Sequence, residues 1–154
     1  MQRAIAQCQV TLPDDALTGA LNIGFPFNFY CNTYTQFYIS SNGFITFSVN
    51  SGNGCCSGQL IPNAGAPNNL ISAAWTDLDP GVGGSITYAT IGSSPTRSLL
   101  VKYINVPIYG STVTVTTETI TVQSCLTNLK LERFAAAQSN VNTINNLHSM
   151  AYRN

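Results

Sequence analysis

Large apolar side chains crowd into one stretch, residues 23–47, where they alternate with polar residues at the spacing of β-strands. Its aromatic members are Phe25, Phe27, Phe29, Tyr30, Tyr34, Phe37, Tyr38, Phe44 and Phe47. The pair Asn42-Gly43 interrupts the stretch, and a two-residue type I′ hairpin turn favours this pair because both residues tolerate positive φ. We therefore predict two antiparallel strands, over residues 36–41 and 44–49.

The predicted turn also sets a register for this hairpin. In that register Tyr38 lies opposite Phe47, and Ser40 lies opposite Ile45. The other face carries three further apolar side chains, Phe37, Ile39 and Phe44. Because both faces hold large apolar groups, we expect the hairpin to lie in the centre of a sheet.

Further strands are predicted by short apolar segments bounded by turn residues, at 70–78, 85–91, 97–109 and 112–124. The first carries the only tryptophan, Trp75, and small neighbouring alanines favour a place for it in the core. In the last, the apolar positions change phase, which predicts a bulge or a break near Thr116-Thr117. This pattern is typical of an all-β protein, an antiparallel β-sandwich resembling a jelly roll.

The periodicity changes beyond residue 125, where apolar residues recur every three or four positions and predict an amphipathic helix from about residue 134. We therefore expect a β-sandwich domain over 1–125 and a C-terminal tail over 126–154. Asparagines in the tail are poor helix formers, so the helix needs to dock in order to persist. Its predicted assembly contact, on a neighbouring subunit or on its own sandwich, consists of Phe134, Val141, Ile144, Leu147 and Met150.

The chain carries little charge. Charged residues make up 8% of its 154 residues and the formal net charge is zero, so its polarity comes from Ser, Thr, Asn and Gln. The scattered lysines and arginines provide no footprint for nucleic acid, and no apolar run has the roughly 20 residues of a membrane helix. The N-terminal apolar run is too short for a signal peptide. We expect a protein of an extracellular or cell surface, or of a virion, which needs no secretion.

Five cysteines are candidates for disulfides: Cys8, Cys31, Cys55, Cys56 and Cys125. An odd number leaves at least one unpaired within the chain. A disulfide between neighbours is strained and uncommon, so Cys55 and Cys56 are each expected to reach a different partner. The predicted disulfides use Cys31, Cys55 or Cys56, or join Cys8 to Cys125. With no Cys-x-x-Cys pair and a single histidine, a zinc site is not expected.

Aspartates are the candidate metal ligands. Asp77 and Asp79 could offer hard oxygen ligands to calcium, with Asp14 and Asp15 elsewhere in the chain. The alternative is turn chemistry, because Asp79 precedes a Pro-Gly pair. Two residues apart on an extended segment, Asp77 and Asp79 would point to the same side and would not face each other across a cleft as a glycosidase pair does. We therefore predict no enzyme activity, no catalytic residue and no cofactor.

Two blocks of sequence resemble NIDO-type modules, the extracellular domains of nidogen and related mucin and matrix proteins. The first block combines Phe25-Pro26-Phe27 with Tyr34 and residues 38–45, and the second combines residues 73–79 with residues 83–88. The resemblance implies a non-enzymatic module in matrix, adhesion or surface assembly, with no active site to carry over.

A closer likeness is to β-sandwich repeats of large bacterial surface and secreted proteins. Those repeats often show loops similar to Cys55-Cys56-Ser57-Gly58 and Pro67-Asn68-Asn69. The likeness covers about residues 21–122. Cys31 stands where a glycine is common, and the tail after residue 125 matches no known pattern.

Two functions follow from these expectations. The first is a structural or interaction module that binds other protein subunits or copies of itself. Within this class a capsid protein is one option, because a chain without an export signal could assemble in the cytoplasm and sandwiches are common in viral shells. The alternative is a glycan-binding adhesion module, in which exposed tyrosines and Trp75 would stack on sugars.

Overall fold

The computed structural model describes residues 6–56, 58–60, 64–122 and 150–152. Within these ranges the chain forms nine strands: β1 (Cys8–Val10), β2 (Leu21–Phe29), β3 (Asn32–Ile39), β4 (Phe44–Thr46), β5 (Leu70–Ser72), β6 (Ser85–Ile91), β7 (Ser98–Pro107), β8 (Thr114–Val122) and β9 (Met150–Tyr152). One sheet has the order β1-β6-β7-β8, and the other has the order β2-β3-β4-β5-β9. All neighbouring strands are antiparallel, so the predicted all-β architecture of two antiparallel sheets is confirmed. No helix in the described ranges has the length and hydropathy to cross a membrane.

The apolar core lies between the two sheets. Every second residue of β2 from Ile23 to Phe29 is buried, which is the period of a strand that packs one face on a core. The opposing sheet contributes fully buried side chains from β7, namely Leu99, Val101 and Tyr103. The sandwich therefore follows from the alternation of apolar residues along these strands.

The hydroxyl of Tyr103 connects the two sheets through this core. Tyr103 of β7 is fully buried, and its hydroxyl lies 2.7 Å from the Ser40 carbonyl oxygen and 3.1 Å from the Phe44 carbonyl oxygen. Burial raises the pKa of Tyr103 above its usual value, so the hydroxyl remains a donor. This contact fixes the four-stranded sheet to both ends of the β3–β4 turn.

The observed register of the β3–β4 hairpin differs by one residue from the predicted register. Tyr38 pairs with Thr46, and the Ser40 amide donates to the Phe44 carbonyl at 3.0 Å, which leaves a three-residue loop. Within this loop Gly43 alone takes a positive φ, 81°. The predicted type I′ turn is therefore wrong, because that turn needs positive φ at both central residues. The turn departs from the local prediction because tertiary hydrogen bonds to Asp15 and Leu78, both distant in the sequence, hold the Asn42 side chain.

Strand β4 lies in the centre of its sheet, as predicted for the hairpin. Side chains of the hairpin that face the sandwich core are Phe37, Ile39, Ile45 and Phe47. On the opposite face, Phe44 is fully buried against Trp75, with 5.1 Å between the ring centroids. Both faces of β4 are therefore covered.

One further prediction is corrected by the strand boundaries. The strand predicted over residues 70–78 ends at Ser72, and residues 73–79 leave the sheet as a loop that carries Trp75.

The tail helix predicted from about residue 134 stays a prediction, because it and the contact residues Phe134, Val141, Ile144 and Leu147 lie outside the described residues. The described part of the tail, Met150–Tyr152, forms strand β9 and pairs with β5.

The predicted bulge is confirmed near Thr116. The β7–β8 register shifts between Tyr103 and Val106, so that two residues of β7 lie opposite one residue of β8. Asn105 takes a positive φ of 51° there, and its amide donates to the Thr116 hydroxyl at 2.9 Å. The extra residue lies in β7, and alternate residues of β8 are buried without a break from Val115 to Thr121, so the bulge leaves the phase of β8 unchanged.

We expect Gly43→Ala to destabilise the fold by about 2 kcal/mol more than Gly52→Ala does. Both glycines have nearly the same φ, 81° and 80°, so the strain of an L-residue at positive φ is common to both variants. A Cβ at Gly43 would lie 2.0 Å from the Ala74 carbonyl oxygen, whereas at Gly52 no atom lies within 4 Å. Urea denaturation measures the difference, and equal losses would show that loop 73–79 does not enclose the turn.

Candidate functional site

The β3–β4 turn lies beneath several loops that meet at one end of the sandwich. The loops comprise residues 13–18, 53–56, 73–84 and 108–113, and we call them, together with the turn, the loop end. The Ser41 amide donates to the Ala16 carbonyl at 2.8 Å, and the Ser40 hydroxyl donates to the Asn53 carbonyl at 2.6 Å. Loops held in this way on a rigid sheet are a common place for binding residues.

Asn42 positions the loops of this end. Its side chain is fully buried, and its amide nitrogen donates to Oδ1 of Asp15 at 2.9 Å. Its amide oxygen accepts a hydrogen bond from the Leu78 backbone amide at 3.0 Å. One buried asparagine therefore holds loop 13–18 beside loop 73–84, and loss of either bond would leave a buried polar group without a partner.

Four aspartates lie on these two loops. Asp14, Asp15, Asp77 and Asp79, which we call the acidic cluster, come from two segments that are far apart in the sequence. Burial raises the pKa of Asp14, and the charges of Asp15 and Asp79 add to that effect. Burial likewise raises the pKa of Asp77, with further contributions from Asp15, Asp14 and Asp79. Of the sequence-predicted calcium ligands, Asp77 has a carboxylate oxygen within 4.8 Å of one from Asp15, whereas Asp79 acts on Asp77 through its charge.

The carboxylates of the acidic cluster differ in their partners. Oδ1 of Asp14 and Oδ1 of Asp77 are each buried and accept no hydrogen bond within the described part of the chain. Asp79 is only 9% exposed, and its Oδ1 accepts a hydrogen bond from the Gly81 amide at 2.9 Å. Turn chemistry therefore accounts for one oxygen of Asp79 but not for the buried oxygens of Asp14 and Asp77.

A disulfide borders the acidic cluster and corrects the predicted pairing. Cys55 and Cys56 are joined to each other, although different partners were expected for each. Their sulfur atoms and the carboxylate oxygens of Asp15 and Asp77 all lie within 4.8 Å of one another. Cys8 and Cys31 are exposed thiols in the described part of the chain, and the predicted bond from Cys8 to Cys125 stays a prediction. Cys125 itself lies outside the described residues.

Trp75 covers the outer face of the turn and is not a core residue. It is half-buried, it packs on Phe44, and its indole nitrogen donates to the Gly54 carbonyl at 2.9 Å. Little space remains around it, because a Cβ at Gly54 would lie 2.9 Å from the indole nitrogen. The predicted place of Trp75 in the core is therefore wrong, and part of the ring faces solvent at the loop end.

Exposed apolar side chains also occur at the loop end. Val82 is 73% exposed, Tyr109 is 57% exposed and Val113 is 41% exposed. They adjoin the acidic cluster through the backbone, because the Tyr109 amide donates to the Asp77 carbonyl at 2.8 Å and the Val82 amide donates to the Asp79 carbonyl at 3.4 Å. The sequence analysis placed Tyr109 and Val113 at the ends of the predicted strands 97–109 and 112–124 and did not single out Val82, which lies in a turn without apolar periodicity.

A family model matches most of the chain. The model of a family described as NIDO-related matches residues 2–146, a range that includes both sheets up to β8 and every aspartate of the acidic cluster. No curated protein and no solved structure matches the chain. The match extends well beyond residues 21–122, over which the resemblance was recognised.

The acidic cluster predicts an unusual dependence of stability on pH. Because the folded-state pKa values of Asp14 and Asp77 lie above the ordinary value for aspartate, ionising these groups opposes folding. This penalty is fully present above the raised pKa and disappears as the pH falls through the ordinary range of aspartate. Asp77→Asn should therefore melt at a higher temperature than wild type at pH 7, and the gain should vanish near pH 4.

Glu118→Gln is the matched control for this comparison. Oε2 of Glu118 lies 3.0 Å from Nζ of Lys102 on the neighbouring strand, away from the acidic cluster. Replacing Glu118 should therefore give no gain in melting temperature at pH 7. A series of thermal melts between pH 4 and pH 7 measures both variants. An Asp77→Asn variant that is less stable than wild type at every pH would contradict the prediction.

Proposed function

The chain belongs to the NIDO-related family, whose members are extracellular-type modules, and on this premise we propose that it is a non-enzymatic interaction module of an extracellular assembly. The proposed partners are protein subunits, copies of this chain included. The proposed contact surface is the loop end, with Val82, Tyr109 and Val113 as its apolar centre.

The observation that carries this proposal is the exposure of three apolar side chains on a rigid support. Val82, Tyr109 and Val113 lie on loops that are fixed by backbone hydrogen bonds to Asp77, Asp79 and Ile108. Apolar groups that are held in place and exposed lose little conformational entropy on binding, which favours contact with a partner. Single exposed apolar residues are common on any surface, but three on adjoining loops form a patch.

Charge also favours association between copies. The formal net charge is zero and charged residues make up 8% of the chain, so long-range repulsion between copies is weak. A matrix, a cell surface and a virion shell all consist of many subunits in contact. Self-association can therefore be tested with the purified chain alone, without knowledge of another partner.

We expect Val82→Asp to weaken self-association of the purified chain, because a charge would enter the centre of the proposed contact. Val49→Asp is the matched control: Val49 is 68% exposed, nearly as much as Val82 at 73%, but it follows the other end of β4. Sedimentation velocity over a range of concentrations measures the association, and electron microscopy shows whether the product is regular. A wild-type chain that stays monomeric at about 100 μM, the weak end of specific association, would contradict self-assembly.

A glycan-binding module is the second candidate, and the half-buried Trp75 favours it. Part of its ring faces solvent two residues from Asp77, and Tyr109 is bound to Asp77 through the backbone. Aromatic faces beside carboxylates suit a sugar, which presents both apolar C–H groups and hydroxyls. A glycan array distinguishes the two candidate functions. A glycan-binding module should bind at least one glycan, and Tyr109→Ala should abolish that binding. An array without any bound glycan would contradict it.

A further inference from the structure

We propose that Cys55, Cys56, Asp15 and Asp77 bind a zinc ion when the Cys55–Cys56 disulfide is reduced. The disulfide and the zinc site are two states of the same pair of sulfur atoms, and the redox conditions around the protein select between them. The inference goes beyond the proposed function, because it concerns the isolated chain and needs no partner.

Four metal-ligating side chains converge from three separate loops. The two sulfur atoms and one carboxylate oxygen each from Asp15 and Asp77 all lie within 4.8 Å of one another. Asp15 belongs to loop 13–18, the cysteines belong to loop 53–56, and Asp77 belongs to loop 73–84. The sequence analysis expected no zinc site because no Cys-x-x-Cys pair is present, but here two of the four ligands come from other loops.

The spacing fits one tetrahedral ion. Zinc binds sulfur at about 2.3 Å and carboxylate oxygen at about 2.0–2.2 Å, so a sulfur and an oxygen on one tetrahedral zinc ion lie about 3.6 Å apart. The Sγ atom of Cys56 lies 3.8 Å from Oδ2 of Asp15, which is close to this value. Reduction breaks the bond between the two sulfur atoms, so that each of them can occupy its own corner of the tetrahedron.

Hydrogen bonds already hold two of the ligands in place. Asn42 donates to Oδ1 of Asp15 at 2.9 Å, which leaves Oδ2 beside the sulfur atoms. The Cys55 amide donates to Oδ1 of Asn53 at 3.1 Å, and the Asn53 carbonyl accepts from the Ser40 hydroxyl at 2.6 Å. Metal-ligating carboxylates are commonly hydrogen-bonded to such outer partners, which fix the orientation of the ligand.

The disulfide is open to exchange and contributes little to the fold. Cys55 and Cys56 are both exposed, so the thiolate of a reductant can reach their sulfur atoms. The bond joins neighbours in the sequence, and a cross-link that closes so short a loop removes little entropy from the unfolded chain. Reduction should therefore leave the sandwich folded.

Conversion to the zinc-binding state needs a dithiol reductant. One of its thiolates attacks a sulfur atom of the pair, the Cys55–Cys56 bond breaks, and a mixed disulfide forms. The second thiol of the reductant then displaces the cysteine, so that the reductant leaves as a disulfide and the chain keeps two thiols. Zinc replaces the two thiol protons, which pass to solvent.

The neighbouring carboxylates favour a metal over free thiolates. The negative charges of Asp15 and Asp77 beside the sulfur atoms oppose the ionisation of a reduced cysteine, because like charges repel. A divalent cation reverses this effect, since it deprotonates a coordinating thiol and is itself attracted by the carboxylates. The same two side chains therefore oppose thiolates without a metal and become ligands with one.

The chemistry of the donors selects zinc among the common ions. Two thiolates and two carboxylates combine soft and hard ligands, and zinc accepts both kinds in a tetrahedral site. Calcium and magnesium require oxygen ligands, and copper(I) prefers sulfur ligands.

The direct test is a zinc titration of the whole chain after reduction with a phosphine under argon. Calorimetry should show one zinc ion bound per reduced chain and none bound to the oxidised chain. Cobalt, used as a spectroscopic probe, should give the intense visible bands of a tetrahedral ion together with a thiolate-to-cobalt charge-transfer band. The proposal is overturned if the reduced chain binds no zinc at about 100 μM, far above the dissociation constants of structural zinc sites. Cobalt bands typical of an octahedral ion without thiolate ligands would also overturn it.

Variants of single ligands locate the site. Cys55→Ser, Cys56→Ser and Asp77→Asn should each lower the zinc affinity of the reduced chain by at least about tenfold. Cys8→Ser and Cys31→Ser are the matched controls, because both are exposed thiols outside this group, and they should bind zinc as wild type does. Circular dichroism checks that each variant is folded. Zinc binding that survives the simultaneous replacement of Cys55 and Cys56 by serine would assign the ion to another place and overturn the proposal.

Discussion

The burial of the β3–β4 turn is the constraint on which the rest of this structure depends. A hairpin turn usually faces solvent, but Ser41 and Asn42 are fully buried here. Gly43 makes this possible, since a Cβ at that position would overlap the Ala74 carbonyl. Its own carbonyl accepts hydrogen bonds from the amides of Ala73 and Ala74, both at 3.3 Å. The loops of the loop end therefore pack around the turn, and the Tyr103 hydroxyl binds the turn to the opposite sheet.

Burial of this turn also determines where the charged groups lie. A buried asparagine needs partners for both ends of its amide, and Asn42 finds them in Asp15 and in the Leu78 amide. These two bonds bring loop 13–18 next to loop 73–84. The acidic cluster is therefore a geometric consequence of satisfying one buried side chain. Repulsion among its carboxylates opposes folding, and the aromatic packing of the core must outweigh it.

Local patterns in the sequence predicted the elements whose structure is locally determined. The β-like spacing of apolar residues around Asn42-Gly43 indicated two antiparallel strands, and the apolar pattern of 112–124 led to the prediction of a bulge or a break near Thr116-Thr117, where the register does shift although the extra residue lies in β7. The turn at Asn42-Gly43 was found, but its register was wrong by one residue. That register depends on Asp15 and Leu78, which no local window around the turn contains.

The same reasoning explains what sequence could not predict about the loop end. The apolar run at 70–78 resembles a strand throughout, yet the amides of Ala73 and Ala74 bond to the Gly43 carbonyl and lead the chain out of the sheet. Asp77 and Asp79 were singled out as possible ligands. Their union with Asp14 and Asp15 requires the sandwich topology, which places residues before β2 beside residues after β5. The Cys55–Cys56 disulfide was disfavoured by adjacency, and its position beside the acidic cluster is likewise a tertiary feature.

The loop end combines two kinds of surface that normally occur apart. Exposed apolar residues favour a partner, whereas a group of like charges keeps partners away unless it is neutralised. Val82 and Tyr109 are attached through their backbone amides to the carbonyls of Asp79 and Asp77, so any movement of the aspartates moves the apolar side chains as well. Contact between copies at the loop end would bring two acidic clusters close to each other, so the apolar contact has to outweigh the repulsion between their carboxylates.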